Sequence, residues 1–226
     1  MRMLSVLCAS LLLAACTPKG NDGDKAIAPA SEAPKVPAGA YVLDKSHASL
    51  VFRVSHLGFS NYTARFEHFD AQLQFDPNNL SASSVTATID PTSLRLDNPP
   101  VGFTESLLGS DWLDATQYPQ MTYRSTKVEV IAPNNMRITG DLTLHGMTHP
   151  VVLEAVFNGG YAGHPMDPHA RIGFSAQGTL KRSDFGIKFG IPEPGSTMGV
   201  GDDVDVAIEA EFSGPAWTQP NSVPTE

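Results

Sequence analysis

Apolar and polar side chains alternate with a period of two through most of the chain. Leu50, Phe52 and Val54 alternate with Val51, Arg53 and Ser55. Phe69, Ala71, Leu73 and Phe75 alternate with Asp70, Gln72 and Gln74. Val204, Val206, Ile208, Ala210 and Phe212 alternate with Asp203, Asp205, Ala207, Glu209 and Glu211. This period puts one face of a strand in an apolar interior and the other in water. Strand-like runs also occur at Ser84 to Ile89, Gln120 to Ile131, Met136 to His145, Val151 to Asn158 and Ala170 to Arg182. Turn clusters separate them: Asp76-Pro77-Asn78-Asn79, Ala132-Pro133-Asn134-Asn135 and Gly159-Gly160, with a tight hairpin over Leu144 to Pro150. About eight short antiparallel strands so punctuated predict an all-β barrel or sandwich. Closing eight strands leaves an interior that side chains fill or that holds one ligand.

Val101 to Asp114 departs from the alternation. Phe103 and Leu107 stand four apart with Leu108 beside them, and Ser110 and Asp111 are placed to cap a second turn holding Trp112 and Leu113. The segment reads as a short helical lid over one barrel mouth, or as a plug that closes the core.

The termini carry different signals. Arg2, the apolar run Leu4 to Leu13 and the ending Leu13-Ala14-Ala15-Cys16 read as a signal peptide over residues 1–15. The run is too short to span a bilayer. Its last four residues resemble a bacterial lipobox, which implies cleavage before Cys16 and acylation of that cysteine. Thr17 in place of Asp resembles an outer-membrane address in the enteric sorting pattern. Residues 16–40 are rich in Ala, Pro, Gly, Lys and Asp and read as the lipidated cysteine with a flexible tether. Residues 41–213 form the predicted domain and residues 214–226 a polar tail. Cys8 leaves with the leader and Cys16 carries lipid, so the globule has no cysteine for a disulfide, a thiol nucleophile or a metal site. A net charge of -9 with scattered Lys and Arg argues against nucleic acid and against electrostatic docking on anionic lipid.

Ordered pieces of the chain resemble the YceI-like family of periplasmic lipid- and polyisoprenoid-binding proteins. The opening Asp44-Lys45-Ser46-His47 leads to Phe52-x-Val54-x-His56-x-Gly58. Phe75-Asp76-Pro77, Ile89-Asp90 with Ser93-Leu94, and Tyr118-Pro119 with Tyr123-Arg124-Ser125 follow. Gly140 to Gly146 with Pro150-Val151, Arg182 to Gly186, and Gly201-Asp202 with Val204 complete the series. The resemblance covers about Tyr41 to Phe212. It implies a lipocalin-like barrel, a periplasmic location and a bound isoprenoid, quinone or fatty lipid, with no other cofactor. One piece departs: where the family carries Arg-Asp-x-His-Leu, this chain has Phe103-Thr104-Glu105-Ser106-Leu107. If that Arg and His meet a charged head group, a neutral head group is expected here.

Binding an apolar ligand needs unfilled apolar volume and a polar mouth. The ligand-binding candidates are His56, Phe66, Phe69, Phe103, Leu107, Trp112, Tyr123, Phe174, Arg182 and Phe185, with Phe52 and Phe75 as further lining aromatics. His56 is either a ligand contact or a hydrogen-bonded structural histidine. Arg182 and Asp184, two apart on a predicted strand, either pair with each other or meet a head group. The seven histidines give no converging ligand set, because Gly146 and Pro150 put His145 and His149 in a turn. There is no Gly-x-Ser-x-Gly and no Gly-rich phosphate loop. The sequence therefore predicts a non-enzymatic barrel in the periplasm, anchored to the outer membrane through Cys16, with no functional metal. A homodimer is left open. The competing readings are a packed interaction module without ligand, and an enzyme using His56 as acid or base on a bound lipid.

Overall fold

The computed structural model describes residues 36–218. The signal peptide, Cys16 and nearly all of the tether lie outside the described residues, as do residues 219–226 of the tail. The strands are β1 (Gly39–His56), β2 (Ser60–Phe66), β3 (Phe69–Phe75), β4 (Ser84–Ile89), β5 (Leu94–Leu96), β6 (Met121–Ala132), β7 (Asn135–Leu144), β8 (Met147–Tyr161), β9 (His169–Lys181) and β10 (Val200–Ala216). One helix, α1 (Phe103–Leu108), lies between β5 and β6. Strand order runs β10-β9-β8-β7-β6-β4-β3-β1-β2-β5, and β10 also pairs with β1, so the sheet closes on itself.

Register shows that two of the ring strands are interrupted rather than separate. β1 pairs antiparallel with β2 from Leu50↔Phe66 and with β3 from Val42↔Gln72. β5 pairs with β2 at Phe66↔Leu94, and β4 with β3 at Phe69↔Ile89. β2 and β3 thus act as one strand, and β4 and β5 as the next. The break in the second is a 3-10 turn (Pro91–Ser93) capped by the Asp90 carboxylate, which accepts from Thr92 N. The ring is an eight-membered up-and-down antiparallel barrel. Domain limits differ slightly from expectation: Gly39 already pairs with Phe75, Val36 is buried, and Ala216 still pairs with His169.

The predicted hairpin between β7 and β8 turns on His145 and Gly146, both left-handed (φ 51° and 74°), the two-residue geometry that matches strand twist. Its end of the barrel also carries the β1–β2 turn, the β5–β6 connection and the long β9–β10 connection. The opposite end is closed by an aromatic cluster. Phe75 lies 5.3 Å from Phe157 and 5.8 Å from Phe174, and Phe174 lies 6.1 Å from Phe212. Tyr41 packs edge-on to Phe75, and its hydroxyl donates to Pro37 O at 2.7 Å. Burial raises the Tyr41 pKa to about 12.

Candidate ligand-binding cavity

The alternation that builds each strand also builds a cavity. Leu50, Phe52 and Val54 of β1 point inward, as do Phe69, Ala71 and Leu73 of β3 and Val204, Val206 and Ile208 of β10. Together with Leu153, Ala176 and Leu180 they wall a space of about 790 Å³. The aromatic cluster is its floor, through Phe75, Phe174 and Phe212. Small residues keep it open: Ala71, Ala87, Ala155, Ala176 and Ala210 occupy inward positions that large side chains would fill.

The pairing of β4 with β6 stops at Ile89↔Met121, while β5 runs on past it. The chain from Asp97 to Gln120 spans the gap so left. In it, α1 sets Phe103 and Leu107 on the cavity wall, and Leu107, Leu108 and Leu113 pack against Ala64, Leu94 and Leu96. The Leu113 amide donates to Leu107 O and the Ala115 amide to Leu108 O, which folds the segment back over α1. Trp112 follows in a turn, not in a second helix. The segment therefore forms part of the wall as well as part of the mouth.

Nine of the ten sequence-predicted ligand residues lie on the cavity wall: His56, Phe66, Phe69, Phe103, Leu107, Trp112, Tyr123, Phe174 and Arg182. Phe185 does not. It is 1% exposed, packed edge-on against His149 with ring centroids 5.4 Å apart. The expected strand ends at Lys181, residues Arg182–Phe185 form a 3-10 turn, and Gly186 adopts φ 76°. That turn directs Phe185 into the core instead of the cavity. The same turn overturns the expected Arg182–Asp184 relation, since Asp184 is exposed and makes no ion pair among the described residues.

Arg182 is only 4% exposed, and its donors are committed to backbone carbonyls. Nε donates to Gly201 O (2.8 Å), Nη1 to Ile187 O (3.0 Å) and Phe189 O (2.9 Å), and Nη2 to Val200 O (2.8 Å). Burial lowers its pKa, with the Asp202 charge opposing that shift. For Asp202 burial works against the charged form, but the Ser183 amide and hydroxyl together with the Lys181 and Arg182 charges outweigh it and hold the pKa below the ordinary value. Tyr123 is committed in the same way. Its hydroxyl donates to Ile138 O at 3.1 Å, with Val151 O at 3.4 Å. Its ring lies over Gly140, where a Cβ would come 2.4 Å from Cζ. Burial, helped by the Asp141 charge, raises its pKa. His56 is exposed at the mouth, and its ring makes no hydrogen bond among the described residues. No group of three His, Cys, Asp or Glu that could hold a metal occurs among the described residues.

The YceI-like domain pattern matches residues 41–212. The chain belongs to the YceI-like family. A YceI-like relative from Vibrio cholerae, a UPF0312 protein, is 36% identical over 176 residues, covering 77% of this chain and 87% of its own. Among solved structures, BcnA of Burkholderia cenocepacia is similar, with a TM-score of 0.63 and 25% identity over 75% of this chain and 98% of that one. A polyisoprenoid-binding domain from Saccharophagus degradans shares the fold, with a TM-score of 0.56 at 15% identity, over 79% of this chain and all (100%) of that one. The YceI-like fold and the cavity together support a ligand-binding role for the barrel.

The aliphatic walls were the least visible part of the site from sequence. Ile138, Leu153, Ala176 and Leu180 carry no motif; only their period-two phase relative to the inward aromatics marks them. Phe189, also on the wall, sits in a loop where no periodicity applies.

Proposed function

We propose that this YceI-like protein binds and carries one long apolar molecule of isoprenoid, quinone or fatty type, and makes or breaks no bond in it. The observation that carries this reading is the open apolar cavity of about 790 Å³ between an aromatic floor and a mouth. Its size suits a small-molecule site, about 300 to 1,000 Å³. Each methylene moved from water into it contributes about 0.8 kcal/mol. After ordering costs, about ten to fifteen buried carbons support micromolar binding.

The head group is neutral in this reading. The wall's Arg182 spends four N–H donors on carbonyls, and α1 presents Phe103 and Ser106 where the family pattern has Arg and His. The cavity lining carries the Asp97 carboxylate and one guanidinium, Arg182, whose donors are already spent, which disfavours a pyrophosphate there. The leader-like start and Cys16 favour a periplasmic protein held on the outer membrane by acylation.

Native mass spectrometry of the chain purified from a bacterial periplasm, followed by solvent extraction, tests the reading. A stoichiometric quinone, prenol or fatty species supports it. A ligand-free mass that stays unchanged after incubation with ubiquinone and with a fatty amide overturns it. Retention of an isoprenyl pyrophosphate overturns the neutral head group alone.

A further inference from the structure

The largest exposures of apolar side chains at the mouth end fall on three separate connections. Phe59 in the β1–β2 turn is 80% exposed, Met198 and Phe189 in the β9–β10 connection 68% and 57%, and Val101 beside α1 is fully exposed. These connections form one continuous rim. Leu57 N donates to Gly199 O, and a Cβ on Gly58 would touch Thr197. Val200 N donates to Gly190 O, next to Phe189, and Phe189 packs 5.7 Å from Trp112. Phe103 and Phe189 belong to rim and cavity wall at once, so the exposed apolar side chains stand directly at the entrance to the cavity.

We propose that this rim docks on the surface of a lipid bilayer, with the mouth facing the acyl region. The proposal rests on the carrier reading for its purpose: a long apolar ligand then passes between cavity and bilayer without crossing water. Isolated apolar side chains on loop tips suit insertion between lipids, whereas a protein partner is better served by a contiguous packed face. Charge decides the kind of bilayer. The mouth-end connections carry six carboxylates, Asp97, Glu105, Asp111, Asp114, Asp184 and Glu193, against two cations, Arg182 and Lys188. Anionic lipid is therefore repelled, and the fitting surface is zwitterionic, held by apolar insertion and insensitive to screening.

Vesicle flotation of the full chain carrying Cys16→Ser, which removes any acyl anchor, tests this. Circular dichroism and binding of the fluorescent polyene parinaric acid report fold and cavity. The expected result is flotation with phosphatidylcholine vesicles that does not rise when phosphatidylglycerol is added. The triple variant Phe59→Ser, Phe189→Ser, Met198→Ser floats less by about tenfold or more while its circular dichroism is unchanged. A control at the closed end, Met166→Ser, floats normally. Absence of flotation with phosphatidylcholine, flotation only with phosphatidylglycerol, or equal flotation of the triple variant overturns the proposal. Flotation without parinaric acid binding by the parent leaves docking standing and removes the carrier reading. Parinaric acid binding without flotation does the reverse.

Discussion

The guanidinium carbon of Arg182 lies 5.0 Å from the ring centre of Trp112. The two residues come from the connections on either side of the mouth. Trp112 belongs to the segment that spans the gap between β5 and β6, and Arg182 opens the β9–β10 connection. A buried cation with its edges bonded to carbonyls has only its faces free, and an aromatic face is a favourable partner for one of them. Arg182 therefore ties three things together: the start of β10, the loop bearing Phe189, and the strap bearing Trp112.

Removing this tie should cost more stability than any exposed ion pair. Arg182→Met leaves four carbonyls without their donors and lowers the unfolding free energy by about 3 kcal/mol. Arg182→Lys recovers less than half of the loss, because a lysine ammonium has three donors and no planar face. Urea unfolding of both variants beside the parent measures the difference. A lysine variant as stable as the parent would contradict the geometry.

Filling the cavity should separate binding from folding. Ala176 sits on β9 one inward position above Phe174, where a large side chain projects across the space. Ala176→Trp lowers affinity for a fatty or quinone ligand by at least about tenfold, with the cooperative thermal transition retained. Native mass spectrometry after ligand incubation reads the occupancy. An undiminished ligand-bound mass would place the ligand elsewhere.

Gly140 should tolerate no side chain. A Cβ there meets Tyr123 Cζ at 2.4 Å and the Arg124 carbonyl at 2.7 Å. Backbone cannot give way as a side-chain tip can, so Gly140→Ala costs about 2 to 3 kcal/mol. Tyr123→Phe, which removes only the hydroxyl bond, costs about 1 kcal/mol. Because the carbonyl clash is independent of Tyr123, Tyr123→Ala does not rescue Gly140→Ala. Chemical denaturation of the single and double variants tests the order.

Acid should weaken the closed end. Hydrogen bonds from His47 and the Ser46 amide, with Arg171 at 2.7 Å, hold Asp44 down to about 2 against an ordinary 3.8. A depressed carboxylate stabilises the fold at pH values above its unfolded pKa, and that contribution is lost as pH falls from 3.8 through about 2. Solvent screening limits it to about 1 kcal/mol. Urea midpoints between pH 5 and pH 2 should fall more steeply for the parent than for Asp44→Asn.

Strand phase was legible because inward and outward positions differ in polarity along β1, β3 and β10, and the barrel simply sums these faces. Phe69 follows from that phase, and Phe174 from the phase of its own strand-like run; Phe66, three residues before Phe69, does not. Trp112 and Phe103 were legible for a different reason: they stand in a lid-like segment outside the strand alternation, where a large aromatic has less structural cause. What stayed hidden depends on distant backbone. Nothing local to Arg182 reveals that Ile187, Phe189, Val200 and Gly201 turn their carbonyls toward it. Phe185 was misplaced because the alternation up to Leu180 gives no notice of the 3-10 turn, although the glycine after it was a available sign of a left-handed stop. The mouth itself was hidden, since β5 was not foreseen as a strand and only register joins it to β4.

The seam that closes the barrel joins its first strand to its last, with Leu50 beside Ile208 and Val54 beside Val204. β1 therefore waits for nearly the whole chain before one of its edges is covered. Until β10 arrives, β1 and β9 both present open edges of the kind that recruits other chains. Pairing between strands so far apart in sequence is slow to form. A chain ending before Val200 lacks the stave that makes the barrel a vessel. Closure of the ring therefore cannot precede arrival of the C-terminal strand, whatever the order in which the earlier hairpins form.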